Sequence, residues 1–549
     1  MRRALALLTP ARASWMAGLL LAVFVLLEVG SLRHMTLTKD EDAHYRYGWQ
    51  ILNFDSTRFD DSKMPFSALN ALPRLFAEAL RPGSLHHRLG TVEFGRYVTV
   101  LSGVLLGWLV FCWARALYGA AAGLLAVTLY VFDPNILAHS ALVTTDLYGT
   151  LMIALAVWSF WRFLNHEGTG RWRAATLSAV IFGLAQLAKY TSAYLVPILL
   201  LLALGHALPD LWALARAGDL GALARRGVHG AKVAILYLVA FLVIVHAGYW
   251  GQKTLLPLAS CRFHSRQFQH IQAALSSVPG LRVPVPWAYI EGMDWVLERE
   301  RAGENPYLLG QLGKDDVPGR RFPEYYAVAW LFKEPIATQL LLYLALGAYL
   351  ARFRRVNVRR NEWFLACPVI FFAWYLTAVF NLQIGYRFAL PVLPFLFVFT
   401  GSLVREAGTM RRGFTLLIGG LLLYLVVSTL SYFPHFIPYF NELVWDRTKA
   451  YRIMVDSNLG WGQDQSYVRR YLRRHPDALE DPDGAQAGTI VISVNKYVGL
   501  SFGERFRWLR ENFEPVGHIA HGHLIFRVTP EALRRVTDPL SADWADQES

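Results

Sequence analysis

An acidic run at residues 39–45 has the composition of a site that accepts a proton. It reads Lys-Asp-Glu-Asp-Ala-His-Tyr and places the carboxylates of Asp40 and Glu41 beside His44 and Tyr45. A carboxylate partly shielded from water can act as a general base toward a hydroxyl or an amine, and burial or neighbouring acids would raise its pKa. A solvated loop is the alternative interpretation.

A second polar segment combines Asp133, His139 and Asp146 within fourteen residues. Asp146 directly precedes an apolar run, so it could cap the first turn of a helix. It could equally hold a divalent ion or orient the acidic run. His139 is the only histidine in this segment, and one histidine is weak evidence for a metal ligand. The identity of any metal therefore stays open.

A third group is cationic and consists of Lys189, Lys333 and the pair Tyr386–Arg387. All of these residues adjoin apolar runs. Arginine offers a fork that matches phosphate oxygens and lysine offers a point charge, so the group predicts a phosphate at a lipid surface. The alternative is that the cations extend toward lipid headgroups.

The elements that must position these residues are membrane spans. The chain has 549 residues, of which 54% are hydrophobic and 17% are charged, below the roughly 25% charge typical of soluble domains. A span needs about 20 mostly apolar residues. About eleven runs, some of them short, meet the pattern: 14–32, 97–114, 118–133, 147–164, 172–188, 190–208, 231–250, 336–350, 363–380, 388–403 and 414–432.

The distribution of basic residues predicts the orientation, because Lys and Arg collect in cytoplasmic loops. Counting spans alternately places on one side the arginines at 2, 3, 12, 115, 171, 173, 216, 225, 226, 352, 354, 355, 359, 360, 405, 411 and 412. We therefore expect a cytoplasmic N-terminus and an odd number of spans. The first run is long for a signal-peptide core and lacks a convincing cleavage site, so we expect it to be retained.

Three long segments then face outward: 33–96, 251–335 and the tail 433–549. Residues 48–54 and 287–296 could form helices in the interface plane. Short apolar runs predict strands at 489–494 and 523–528, with helices at 467–474 and 504–512 nearby. We therefore expect an all-α polytopic membrane region over 1–432 and a small extracytoplasmic α/β domain over 433–549.

Composition argues against two other classes of protein. Lys and Arg exceed Asp and Glu by 13, but no basic stripe marks a soluble module, so a nucleic-acid partner is not expected. The three cysteines lie in two apolar runs and one loop, which does not indicate a disulfide framework.

The ordered motifs resemble those of GT-C membrane glycosyltransferases, in the bacterial branch related to protein O-mannosyltransferases and lipid A aminoarabinose transferases. The resemblance extends from residue 14 to about 530. It is carried by Asp40-Glu41 with His44, Met64-Pro65, the segment from Pro134 to Asp146, Lys189-Tyr190, Tyr307 and Gly310, Tyr325 with Lys333 and Pro335, Gly385 with Arg387, Leu390 and Pro391, Tyr439-Phe440-Asn441-Glu442, and Ser457-Asn458 through Asp464.

The resemblance implies an inverting transfer of a sugar from a polyprenyl phosphate to an acceptor lipid, glycan or protein, at the outer face of the cytoplasmic membrane. Asp40 would deprotonate the acceptor. Arg387, Lys333 and Lys189 would stabilise the leaving phosphate, and Glu41 and Asp146 would support the base or a divalent ion. His44, Tyr45 and Tyr386 complete the expected substrate-binding set.

Two alternatives stay open at this point. A protein O-mannosyltransferase would use Ser or Thr as the acceptor, and family likeness does not separate it from the first reading. A transporter or flippase would place polar groups near the bilayer midplane, often at broken helices in repeated halves. Here the charged residues gather at the predicted outer ends of spans, which favours an enzyme.

Overall fold

The computed structural model describes residues 9–537, except 59–60, 62, 81, 279, 314–320, 352–357, 359 and 406–409. The expectations for the arginines at 2, 3, 352, 354, 355 and 359 therefore lie outside the described residues. The described chain is mostly helical, with a two-stranded hairpin and one four-stranded sheet.

The α-helices follow the apolar runs of the sequence. Their bounds are α1 Pro10–Leu32, α2 Glu41–Leu52, α3 Ser67–Glu78, α4 Ser84–Leu89, α5 Val92–Tyr118, α6 Ala120–Val131, α7 Pro134–Ser140, α8 Asp146–Leu164, α9 Arg171–Ala185, α10 Leu195–Arg216, α11 Leu220–Gly248, α12 Arg266–Ala274, α13 Trp287–Ala302, α14 Tyr325–Lys333, α15 Ile336–Ala351, α16 Trp363–Ala378, α17 Leu393–Thr400, α18 Arg412–Leu430, α19 Gln465–Arg474, α20 Val494–Tyr497, α21 Arg507–Asn512 and α22 Pro530–Thr537.

Local signals explain several of these boundaries. The hydroxyl of Thr91 accepts the amide N–H of Phe94 and caps α5, which ends at Gly119. Gly119 has φ +96°, a conformation that glycine adopts without a Cβ penalty. The chain therefore turns sharply there, and α6 packs back against α5.

The bundle interior is a single large apolar cluster drawn from most of the long helices. In contrast to this buried interior, α11 exposes apolar side chains on its surface. Those that are at least half exposed are Ile235, Leu238, Val239 and Val243. A contiguous apolar face of this size is unfavourable in water, whereas a helix satisfies its own backbone hydrogen bonds in lipid. We conclude that the bundle is a polytopic membrane region.

Seven of the described helical segments are long and apolar enough to cross a membrane, or up to nine if two bent helix pairs each count as one span. The bent pairs are α6 with α7, at 63°, and α14 with α15, at 108°. Each of the eleven predicted spans coincides with a helical segment. The difference between eleven and nine is due to α9 and α16, which have only 15 and 16 residues and are too short to be counted as candidate spans.

The tail contains the predicted α/β elements. Its strands are β3 Ala478–Glu480, β4 Gly488–Ser493, β5 Gly517–Ile519 and β6 His523–Val528. The hairpin of β1 Tyr307–Leu308 and β2 Gln311–Leu312 lies earlier in the chain, in the segment 251–335. The sheet order is β3-β4-β6-β5, with β3 parallel to β4 and the other pairs antiparallel. The strands predicted at 489–494 and 523–528 are confirmed as β4 and β6, and both faces of this strand pair pack into apolar clusters.

Candidate active site

A cavity of about 760 Å³ lies where the helical bundle meets the tail. The bundle contributes the turn before α2, the start of α8, the chain after α9, the end of α13 and the 3₁₀ segment Tyr386–Val392. The tail contributes residues around 456–461 and 495–501. Four of the predicted site residues that line the cavity are charged, and they come from four separate segments: Asp40, Asp146, Lys189 and Arg387.

Arg387 lies between the two aspartates. Its Nη1 is 3.0 Å from Oδ2 of Asp40 and 3.9 Å from Oδ2 of Asp146. The guanidinium also lies 4.3 Å from the centre of the Trp461 ring, within the range of a cation–π interaction. Its buried Nε has no hydrogen-bond partner among the described residues. The site therefore holds a buried N–H donor that a bound group could use.

Asp146 and Lys189 form a second ion pair in the same wall. The Lys189 ammonium donates to Oδ1 of Asp146, and the Thr144 hydroxyl donates to Oδ2 at 3.2 Å. The lysine Nζ also lies 5.0 Å from the ring centre of Phe388. Two cations and two carboxylates thus compensate each other before any ligand is present.

Asp40 is the more accessible of the two aspartates, with 40% of its side chain exposed against 6% for Asp146. His44 follows one helical turn later and also lines the cavity. Burial lowers the pKa of His44 to about 4, although Asp40 opposes this shift. The imidazole is therefore neutral at physiological pH and offers a hydrogen bond rather than a charge.

Glu41 is adjacent to Asp40 but is fully buried behind the cavity wall. Its carboxylate forms a bidentate pair with Arg96, at 2.7 and 2.6 Å, and accepts the amide N–H groups of Thr38 and Val143. These bonds link the segment before Asp40 to the segment before Asp146. Glu41 therefore lies inside the protein, where its hydrogen bonds hold the backbone next to both aspartates.

Lys333 and Tyr386 are also away from the cavity lining defined by the described residues. The buried Lys333 ammonium donates to the backbone carbonyls of Ile437 and Asn458. The Tyr386 hydroxyl donates to Glu334 at 2.8 Å. Both contacts join helical elements to each other or to the tail, so direct phosphate contact by these two residues is not what this structure shows.

Tyr45 and His139 complete the predicted set and are both buried. The Tyr45 hydroxyl donates to the carbonyl of Gly90 at 2.9 Å. The His139 ring packs against Trp461, with 6.2 Å between the ring centres. Neither residue is among the described residues that line the cavity. Trp461 in turn contacts Arg387, so His139 supports the site from behind.

Sequence reasoning predicted no site role for several polar residues that line the cavity, among them Glu300, Asp456 and Asn495. Burial raises the pKa of Glu300 to about 7, and it raises that of Asp456 to about 6 although Arg387 opposes the second shift. Glu300 lies in the run Glu298–Arg301, which resembles a solvated helical face. Asp456 directly precedes the motif from Ser457 to Asp464.

The donor set does not fit a divalent cation. Among the described residues, no group of three or more His, Cys, Asp or Glu side chains is arranged to hold a metal ion. Asp146 and Glu41, the carboxylates expected to support one, instead face cations: Asp146 pairs with Lys189, and Glu41 pairs with Arg96.

The fold and cavity define a polytopic membrane protein with a charged site at one end of its bundle. A family model described as dolichyl-phosphate-mannose-protein mannosyltransferase matches residues 89–250 of the chain. Over this segment, the match confirms the resemblance to GT-C glycosyltransferases that the motifs indicate. No curated protein sequence matches the chain.

Two similar solved structures are membrane proteins crystallised or complexed with lipid phosphates. ArnT from Cupriavidus metallidurans bound to undecaprenyl phosphate is 11% identical, with 94% of this chain and 99% of that chain covered and a TM-score of 0.45. The oligosaccharyltransferase AglB from Archaeoglobus fulgidus, in complex with an inhibitory peptide and a dolichol-phosphate, is 15% identical. Its match covers 82% of this chain and 59% of that chain, with a TM-score of 0.45.

Proposed function

We propose that the protein is an inverting glycosyltransferase that moves a sugar from a polyprenyl phosphate to an acceptor at the outer face of the cytoplasmic membrane. The observation that carries the proposal is the contact between Arg387 and Asp40, 3.0 Å apart on the cavity wall. It brings a phosphate-binding cation next to a candidate base, although 347 positions separate them in the chain.

Arg387 and Lys189 are the groups that would hold the donor phosphate. Both are about 12% exposed, so water screens them poorly and their attraction for an anion is strong. An arriving phosphate competes with Asp40 for Arg387 and gains the unused Nε donor. Donor binding would thus release Asp40 at the point where a base is required.

The reaction follows from this arrangement. Asp40 accepts the proton of the acceptor hydroxyl as the acceptor oxygen attacks the anomeric carbon. The bond from that carbon to the phosphate oxygen breaks, and the lipid phosphate leaves with the electron pair. Arg387 and Lys189 stabilise the charge that develops on the leaving oxygen. The buried Glu41–Arg96 pair holds together the segments that carry Asp40 and Asp146.

The decisive experiment compares Asp40→Asn with Asp42→Asn. Asp42 lies in the first turn of α2, more than half exposed and paired with Arg46, so it controls for the same substitution nearby. We expect Asp40→Asn to reduce transfer from radiolabelled polyprenyl-phosphate sugars by roughly 100-fold or more, the usual contribution of a general base. Asp42→Asn should retain transfer. Equal rates for the two variants would contradict the assignment of the base.

Serine or threonine of a protein is a second candidate acceptor, favoured by the description of the family model that matches residues 89–250. It changes the acceptor and leaves the roles of Asp40 and Arg387 unaltered. Membranes supplied with labelled donor would transfer label to protein in alkali-labile form if this acceptor is used. Label recovered only in lipid or glycan would exclude it.

A further inference from the structure

Glu300 is a partly buried acid on the cavity wall that the proposed reaction does not use. It lies near the end of α13, and its Oε2 accepts a hydrogen bond from the Tyr375 hydroxyl at 2.6 Å. The Tyr194 hydroxyl donates in turn to that of Tyr375. Tyrosines from two other parts of the chain therefore orient one carboxylate that lines the cavity.

This carboxylate has capacity for a ligand. An ionised carboxylate accepts about four hydrogen bonds, and the tyrosine pair uses only part of that number. The charge of Lys189 acts on Glu300 and opposes the rise in its pKa, so the acid lies within electrostatic range of the phosphate-binding wall. In a glycosyl phosphate the sugar ring is bonded directly to the phosphate. Because Arg387, Lys189 and Glu300 line the same cavity, a donor whose phosphate is held by the two cations has its sugar in the space that Glu300 borders.

We propose that Glu300, oriented by Tyr375 and Tyr194, accepts a hydrogen bond from a hydroxyl of the transferred sugar and so determines sugar specificity. This inference rests on the proposed function. It assigns Glu300 a role in binding and none in bond breaking. It also names the substrate class, because a fixed carboxylate attracts hydroxyl or ammonium donors and repels a sugar that carries its own carboxylate. The expected donor carries a neutral sugar and not a uronic acid.

The test measures binding with and without the sugar. Purified full-length protein in detergent is titrated with undecaprenyl phosphate and with its esters of mannose, glucose, galactose, arabinose, N-acetylglucosamine and glucuronic acid. We expect wild type to bind at least one neutral ester more tightly than the sugarless lipid. Glu300→Gln should lose about tenfold of that preference, because hydrogen bonds to charged groups are the stronger class. Its affinity for undecaprenyl phosphate should be unchanged.

Two further variants separate sugar binding from a structural role. Tyr375→Phe removes the hydroxyl that orients Glu300 and should lose a smaller part of the same preference. Glu298→Gln is the matched control, since Glu298 is on the same helix, pairs with Arg301 and is not among the described residues that line the cavity.

Each remaining outcome bears on one proposal. The inference is overturned if Glu300→Gln retains the sugar preference, if it weakens the sugarless lipid equally, or if no neutral ester exceeds that lipid on wild type. Tighter binding of the glucuronate than of the neutral esters would also overturn it. Failure of wild type to bind undecaprenyl phosphate or any ester would instead count against the proposed glycosyltransferase function.

Discussion

The charges at the centre of the site are compensated residue by residue. Arg387 contacts Asp40 and approaches Asp146, and Lys189 pairs with Asp146. A buried ion without a partner is costly, whereas a paired one is tolerated. The resting site is therefore stable without a ligand, and an incoming phosphate must exchange one set of ion pairs for another.

The buried pair of Glu41 and Arg96 gives a stability prediction. Both side chains are at most 1% exposed, so Glu41→Gln leaves the Arg96 charge without its counter-ion. Breaking such a pair costs about 3 kcal/mol, which we expect as a loss in the free energy of unfolding in mixed micelles. Glu93→Gln, at an exposed position in the first turn of α5, should change it by less than about 0.5 kcal/mol. Equal losses of unfolding free energy in the two variants would show that the buried pair stabilises the protein no more than the exposed Glu93 does.

Glu300 gives a pH prediction. Burial raises its pKa to about 7, so the carboxylate predominates above that pH and the neutral acid below it. Tyr375, Tyr194 and Lys189 face it, as does Tyr326 on α14.

Because the carboxylate is the stronger hydrogen-bond acceptor, the affinity for a neutral sugar ester, whose phosphodiester keeps a single charge throughout, should fall roughly tenfold between pH 8 and pH 6. Isothermal titration at several pH values measures this affinity. Glu300→Gln should flatten the profile. A profile of wild-type shape in that variant would assign the titration to another group.

At the scale of elements, the sequence predicts where helices lie better than it predicts which side chains meet. A helical segment lies at each of the eleven spans predicted from apolar runs, since burial in lipid or in the bundle requires such runs. The convergence of Asp40 with Arg387 followed from counting spans. The sequence did not indicate a site role for Glu300, because its partner Tyr375 is 75 positions away and the alternating charges around it are typical of a solvated helix face. Lys333 was misplaced because a buried lysine and a surface lysine have the same local sequence.

The contact between α2 and α3 gives a prediction at this scale. A Cβ at Gly48 would lie 2.2 Å from the backbone oxygen of Ser67, and backbone cannot move as cheaply as the end of a side chain. We expect Gly48→Ala to push apart two helices that support Asp40, with a cost of about 1–3 kcal/mol and reduced transfer.

Gly18→Ala is the control, because Gly18 is also helical and nothing lies within 4 Å of its Cβ position. Alanine there should leave stability unchanged or raise it, since alanine favours the helix. Thermal unfolding in detergent compares the two variants. A Gly48→Ala protein as stable as Gly18→Ala would refute the close approach of α2 and α3.

At the scale of the whole molecule, the tail completes the site instead of forming a separate module. Asp456, Gly460 and Asn495 line the same cavity as Arg387. The buried Lys333 fastens the tail to the bundle through the carbonyl of Asn458. A reaction at this junction requires that all contributing segments lie on one side of the membrane, and the orientation itself is a proposal that can be tested.

Engineered cysteines test this orientation. In a background in which Cys112, Cys261 and Cys367 are replaced by alanine, single cysteines are placed at four exposed positions. Two lie in short connections that we assign to the cytoplasm, Glu167→Cys and Ala217→Cys. Two lie in segments that we assign to the outside, Ser276→Cys and Ala485→Cys. A membrane-impermeant maleimide applied to intact cells should label only the outer pair, and both pairs should react after the membrane is permeabilised. Labelling of Glu167→Cys together with Ala485→Cys in intact cells would contradict the span order, and with it a catalytic site at the outer face.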